Sequence, residues 1–452
     1  MIRKLIVDVG PFETRYALLE DGRLAEYESQ LPDAPVPEQF YRGKVLRVVP
    51  SLDAAFVDIG EALPAFLPHA DHRYRQGDRC LVQAEAIPTT ETKGIRVTDL
   101  PQLTGHYLVL TPQSPGVHVS KKLPEREQAE AKAYALTRCP DGSGLIVRTD
   151  WQTLEGDKTP FDHELSRLLS KWEEIRKMAE QSYTPGLLSV STVPQRCRSM
   201  LCQPGAEIHV NSSEFAEALI AEQSLTGTEG ARIFDDSADG PLIFDPYQID
   251  EQLEKAGRRR IWLKSGGFLV VDQTEAFTVY DVNSGRDERK GSPDEKALAV
   301  NLEAAEMVLQ HIRLCNMGGI ILVDLIDMDR QARREQLLEF VRSRMKLDPA
   351  VHEEGITSLG ILQLTRKRTG LPLYRQIRTA CSVCQGTGSL PDARQTEGEI
   401  RRTVARRLRA GQESGYRIGC SREVQELIRK DPFFENVQFS LHSERNYSLS
   451  SQ

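Results

Sequence analysis

The chain has 452 residues, too long for one small domain and long enough for roughly two to four separate cores. Apolar residues make up 39% and charged residues 27%. No apolar stretch is long enough to cross a bilayer and no charged-then-apolar leader follows Met1, so a cytoplasmic protein with no membrane segment is expected. The net charge of -8 alone argues weakly against a polyanionic partner. Basic clusters at Arg258-Arg259-Arg260, Arg366-Lys367-Arg368 and Arg401-Arg402 through Arg409 nevertheless stand out from that total. The last of them also suits a solvated helix face.

Lys4 to Val9, Thr14 to Leu19 and Leu24 to Glu28 read as strands, the last two joined by a hairpin turn at Asp21-Gly22. A Pro-rich linker, Leu31 to Pro37, follows. Gly43 to Val49, Ala54 to Gly60 and Ala65 to Pro68 then alternate with period two among Gly and Pro breaks as far as Thr98, the rhythm of a five-stranded oligonucleotide-binding barrel. Helical periodicity over Pro124 to Thr137 and Asp162 to Gln181 flanks a strand at Gly144 to Arg148. Further on, Arg260 to Lys264 and Phe268 to Val271 form a hairpin about Ser265-Gly266-Gly267, whose Gly-Gly supplies positive φ. A strand from Ala276 to Tyr280 delivers Asp281 at its end. A helix from Pro293 to Asn316 leads into the apolar strand Ile320 to Val323, capped by Asp324. A helix from Arg330 to Met345 and a strand near Ile361 to Leu364 complete an α/β layer with repeated βαβ connectivity. No internal repeat is evident.

Two strand ends thus carry carboxylates, in Asp281-Val282-Asn283-Ser284-Gly285-Arg286 and in Val323-Asp324-Leu325-Ile326-Asp327-Met328. If neighbouring strands bring them together, two like charges repel unless a proton or cation lies between them, and oxygen-only ligands select a hard ion such as Mg²⁺. Such an ion suits phosphoryl chemistry, with Asn283 orienting phosphate or water. The first run is also ordinary turn composition, and Asp327 suits a helix cap as well as a ligand.

The eight cysteines are scattered as in a reducing compartment, and one pair is closely spaced. Cys381-Ser382-Val383-Cys384-Gln385-Gly386-Thr387-Gly388 has the spacing and following glycines of a zinc knuckle, yet two thiolates are half a tetrahedral site. A two-fold partner chain would present the same pair again, giving a Zn²⁺ shared between protomers. A redox dithiol, which usually opens a helix, is the rival.

In order and spacing, the Asp281 to Arg286 run, the Gly318 to Met328 run and the cysteine knuckle resemble the signatures of the ribonuclease E/G family. The resemblance extends from the first strand to just past the cysteines. It implies an α+β multidomain protein: an RNase H-like subdomain (1–36 and 194–257) interrupted by an S1-type OB barrel (37–99) and a 5′-sensor subdomain (100–193), then a DNase I-like catalytic subdomain (258–378), a zinc link (379–390) and a small C-terminal domain (391–452). By the same resemblance, Asp281 and Asp324 fall on magnesium ligands and Asn283 on a catalytic asparagine. Phe56 and Phe66 fall on aromatics that grip RNA, with Lys93 as their basic companion. Gly105, Val109, Arg148 and Thr149 fall on a pocket for a 5′ monophosphate. Aromatics on a barrel bind single strands with little sequence preference, since every base has a π face. Phe56, between Ala55 and Val57, also suits the barrel core, and Arg148 also suits an ordinary surface ion pair.

The expected activity is magnesium-dependent hydrolysis of single-stranded, A/U-rich RNA to 5′-phosphate and 3′-hydroxyl ends, in RNA decay or ribosomal RNA processing, by a homodimer or higher homo-oligomer joined through the zinc link. A non-catalytic RNA-binding protein and a DNA nuclease are the alternatives. There are departures from the family. No arginine stands in Asp348-Pro349-Ala350-Val351-His352, where the family places a further sensor arginine, and Gln363 replaces a glutamate. No Pro- and Arg-rich tail follows, so the shorter, ribonuclease G-like branch without a degradosome scaffold is implied.

Overall fold

In the computed structural model the described residues are 2–451, except 32–34, 36, 71–72, 87–92, 155, 190–192, 225–229, 275, 286–291, 329, 380, 382, 385, 387, 412–414 and 444–447. Part of the Pro-rich linker, Arg286 of the first carboxylate run, and Ser382, Gln385 and Thr387 of the knuckle therefore lie outside the described residues. Residues 1–376 and 377–452 form two units. Among the described residues no helix is long and apolar enough to cross a membrane.

Among the described residues four sheets build the first unit. One has the strand order Arg232–Asp235, Glu207–Val210, Arg3–Val9, Thr14–Glu20, Arg23–Gln30, so it joins two stretches of chain far apart in sequence. Its hairpin turns at Asp21-Gly22 as expected, with φ of 48° and 81°, the left-handed pair that matches strand twist. Between those stretches Phe40–Val49, Ala54–Asp58, Ala65–Pro68, Arg96–Thr98 and Arg79–Ala86 close into a five-stranded barrel, the first strand pairing with the last. A four-stranded sheet of Gly116–Val119, Gly144–Val147, Leu108–Thr111 and Leu103–Thr104 follows. The helices Glu125–Leu136 and Thr159–Glu180 contribute to its core, together with Trp151, Phe161, Leu165 and Leu168.

The last sheet has the order Arg260–Trp262, Phe268–Gln273, Phe277–Asn283, Gly319–Asp324, Ile361–Arg366, Val351–Ile356. The helix Pro293–Leu314 opens on a capping box between Ser292 and Glu295, which satisfies orphan amides at its start. Its buried side, with Ala297, Val300, Ala304 and Val308, shares one core with Leu269, Tyr280, Ile321 and Val323 of this sheet and with Ile6, Ala17 and Leu19 of the first sheet. Three expectations need correction here. Among the described residues of this sheet the βαβ connection occurs once rather than repeatedly: Phe277–Asn283 and Gly319–Asp324 are parallel. After the helix Gln331–Met345 the chain instead enters the edge strand Val351–Ile356 and returns antiparallel as Ile361–Arg366. Asp281 lies inside its strand rather than at its end, because Val282 is buried and Asn283 still pairs with Phe268. Asp327 does not cap the following helix, whose N-cap is Arg330.

In the second unit the helices Ala393–Arg409 and Arg422–Lys430 pack with a three-stranded sheet of Phe439–Ser443, Tyr416–Cys420 and Ser448–Ser451 around Ile400, Val404, Ile418, Val424 and Ile428.

Candidate active site

Asp281 and Asp324 are direct register partners on the parallel pair Phe277–Asn283 and Gly319–Asp324. Their Cα atoms are therefore about one strand spacing apart, roughly 4.8 Å, and both side chains leave the same face. Both are exposed. The opposite face carries Tyr280, Val282 and Val323, all buried, so the carboxylates stand on a floor fixed by packing. Burial holds the His311 imidazole below its ordinary pKa. Its neutral ring joins the Tyr280 hydroxyl at 2.7 Å and the Ala256 carbonyl at 2.9 Å beneath the site. Beyond Asp324 the chain is held by the buried Asn301. Its Nδ2 donates to the Ile326 carbonyl at 2.8 Å, and its Oδ1 accepts from the Ile326 N–H at 3.0 Å.

Asn283 lies two residues beyond Asp281 on the same face, and its Nδ2 donates to Asp281 Oδ2 at 2.9 Å. Gly267 makes room beside it, since a Cβ there would meet the Asn283 carbonyl at 2.7 Å. No described lysine, arginine or histidine forms an ion pair with Asp281 or Asp324. Two adjacent anions that no described side chain neutralises are a natural seat for a hard cation. Among the described residues no group of three or more His, Cys, Asp and Glu side chains could hold a metal. A pair nonetheless fits magnesium, which commonly binds through one or two carboxylates and completes its shell with water and substrate phosphate.

The barrel aromatics also meet. Phe56 and Phe66 are cross-strand partners with ring centroids 5.9 Å apart. Both are half-buried and point outward, while Ala55, Val57, Ala65 and Leu67 fill the interior. The guanidinium of Arg47 lies 5.1 Å from the Phe56 ring, a cation that sequence reasoning did not single out. Lys93 is exposed, next to Gly94, whose backbone runs so close to Pro64 that a Cβ would come within 1.8 Å of its carbonyl. That close approach ties the Lys93 segment to the strand bearing Phe66.

A cleft of about 540 Å³ is lined by Gly105, Arg148, Glu164, Arg167, Arg198 and Glu222, among others. Arg148 donates through Nη1 to the Gly105 carbonyl at 2.5 Å. Val109 sits half-buried in a strand and Thr149 opens a short 3-10 turn; neither lines the cleft. Glu164, only 5% exposed, accepts from the backbone N–H groups of His106, Tyr107 and Leu108 at 2.6, 2.8 and 3.2 Å, which fixes the loop that presents Gly105. Burial, then the neighbouring Arg198, depresses the pKa of Lys171. Glu164, Arg167 and Arg198 escaped the sequence reading because buried or cleft-facing charges on a helix look like solvated ones.

In the second unit Cys381 is exposed and Cys384 half-buried. Gly386 and Gly388 take φ of 93° and 70°, as a tight turn after the cysteines requires.

Comparison with known proteins gives one family. The profile described as Ribonuclease E/G family matches residues 102–369. Ribonuclease G of Escherichia coli K12 is 29% identical over 456 residues, covering 95% of this chain and 93% of that protein. Ribonuclease G of Haemophilus influenzae is 29% identical, covering 89% and 87%. Ribonuclease E of Escherichia coli K12 is 31% identical over 89% of this chain, but the match spans only 40% of that longer protein.

Proposed function

Because the chain belongs to the ribonuclease E/G family and matches ribonuclease G across nearly the full length of both proteins, we propose that it is an endoribonuclease whose cutting centre is the pair Asp281 and Asp324. The observation that carries this reading is their direct pairing, exposed and with no cationic partner among the described residues, on one sheet face. The donor set suits Mg²⁺, which when bound would polarise the scissile phosphoryl group and favour proton loss from an attacking water. Asn283 positions the Asp281 carboxylate through its amide N–H and leaves its own carbonyl oxygen to orient that water. Attack on phosphorus with departure of the 3′ oxygen leaves 5′-phosphate and 3′-hydroxyl ends. Phe56 and Phe66 would stack bases while Lys93 and Arg47 neutralise phosphates. The cleft beside Gly105 and Arg148 would receive the RNA 5′ end, with Arg167 and Arg198 on its wall, paired to Glu222 and Glu38. RNA decay or ribosomal RNA processing in the cytoplasm is the setting this activity fits.

The test compares matched single-stranded RNA carrying a 5′ monophosphate, the same RNA with a 5′ hydroxyl, and DNA of the same sequence. Both RNAs are expected to be cut and the DNA to be spared. Phe56→Ala/Phe66→Ala should weaken RNA binding about tenfold or more, as the loss of stacked bases requires. DNA cut as fast as RNA would make the chain a general nuclease, and RNA bound but never cut would leave only the binding alternative.

For Cys381 and Cys384 we propose a Zn²⁺ shared with a second copy of the chain, since two thiolates supply half of a tetrahedral shell. Native mass measurement should find one zinc per dimer, lost together with the dimer in Cys381→Ser. A variant that keeps both would refute the shared site.

A further inference from the structure

The face of the sheet that bears the carboxylates continues beyond them as an aromatic platform. Antiparallel register places Val270 beside Asp281 and Arg260 beside Val270; one step along, Phe268 lies beside Asn283 and Trp262 beside Phe268. Directly paired residues share a face. Arg260, Trp262 and Phe268 therefore stand on the side of Asp281, Asn283 and Asp324, while Leu269 points into the core. Trp262 is 62% exposed. Its ring meets that of Phe268 edge-on at 5.4 Å, and the Arg260 guanidinium lies 4.4 Å from the Phe268 ring.

The two neighbouring arginines are engaged, Arg258 with Glu254 and Arg259 with Asp272. Among the described residues Arg260 has no carboxylate partner. A guanidinium without a carboxylate partner among the described residues, beside the exposed Trp262 ring and the half-buried Phe268 ring, matches one ligand chemistry: an unpaired base to stack on and the phosphate next to it. Phe268 is one strand spacing from Asn283 and Trp262 two, about 5 and 10 Å, so a strand whose phosphate rests at the carboxylates can reach both rings with its adjoining bases.

We infer that Trp262, Phe268 and Arg260 form a base-stacking subsite for the single-stranded RNA segment adjoining the scissile phosphate. It is separate from the barrel aromatics and rests on the endoribonuclease reading above. Its part is to bind and align the strand over Asp281 and Asp324, so its loss should raise KM far more than it lowers kcat.

The chain has three tryptophans, and Trp151 and Trp172 are buried, so acrylamide should quench chiefly Trp262. In EDTA, titration with an A/U-rich single-stranded RNA should shield Trp262 from acrylamide, with the midpoint found by anisotropy of the same labelled RNA. With magnesium present, Trp262→Ala/Phe268→Ala should raise KM about tenfold, Trp262→Phe should retain most of the affinity, and Arg260→Gln should flatten the salt dependence of binding by about one charge. Trp262 still open to acrylamide in an RNA complex, with KM unchanged in the double variant, would overturn the subsite and leave the endoribonuclease reading standing. Shielding that follows protein concentration without RNA would also overturn it, marking the face as an interface between copies. Shielding by RNA in a chain that cuts none would keep the stacking surface but sink the nuclease reading, and with it the placement beside a scissile phosphate.

Discussion

Asp281→Asn and Asp324→Asn are each expected to slow single-turnover cleavage of single-stranded RNA by about a thousandfold or more, the several kcal/mol that a bound Lewis-acid ion contributes to the transition state. Asparagine preserves volume and leaves the strand register between the two positions untouched, so folding should be unaffected. The double variant should be little worse than the poorer single one, because the two carboxylates act as a unit on one ion. Binding should move the other way: removing a negative charge from a surface that faces a polyanion should leave RNA affinity in EDTA equal or slightly higher. Cutting lost while binding is kept distinguishes a catalytic carboxylate from a structural one. A variant that loses both in parallel would speak for a folding defect instead.

The second large effect concerns stability. Arg313, 10% exposed on the last turn of the helix Pro293–Leu314, donates to Glu20 at 2.9 and 3.0 Å and to Glu26 at 2.8 and 2.9 Å. It thereby fastens the helix behind the carboxylate sheet to the first sheet of the unit. Arg313→Met should cost about 3 kcal/mol, because it takes charge-assisted hydrogen bonds from two partly buried carboxylates at once rather than merely deleting a contact. Adding Glu20→Gln and Glu26→Gln should restore much of the loss. The pH dependence follows from Glu20. Burial alone would raise its pKa, but hydrogen bonds and charge from Arg313, and then Arg3, hold it below the ordinary 4.5. A carboxyl depressed in the folded state contributes fully above its unfolded pKa and loses that contribution as pH falls towards the folded value. The urea-midpoint deficit of Arg313→Met should therefore shrink below about pH 4.5. An equal deficit at pH 4 and pH 7 would contradict the assignment.

Much of the carboxylate sheet was legible because alternation is a local signal. Thr278, Tyr280 and Val282 are buried while Phe277 and Asp281 are exposed, the pattern a half-buried strand writes into its sequence. What could not be read was register. That Asp281 faces Asp324, and not a residue two positions away, depends on the intervening helix and its packing. The edge strand Val351–Ile356 was missed because it has one neighbour and a break in register between Glu353 and Gly355, so its polar residues carry no alternation. Phe56 was ambiguous between core and surface; pairing with Phe66 on the outside of the barrel resolves it. Trp262 lies in a segment whose strand was legible, but its place beside the carboxylates follows only from two successive antiparallel registers. Glu164 looked like any charge on an amphipathic helix, although it is buried and holds three backbone amides.

The central claim, that Asp281 and Asp324 together seat the cation that cuts RNA, is tested most directly by a magnesium titration of single-turnover cleavage. One labelled single-stranded RNA is used with the wild-type chain and with Asp281→Asn/Asp324→Asn. Wild-type cleavage should vanish in EDTA and rise to saturation with magnesium, while the double variant stays near the uncatalysed rate at every concentration. Cleavage by the wild type in EDTA, or a double variant with the wild-type rate and magnesium midpoint, would contradict the account.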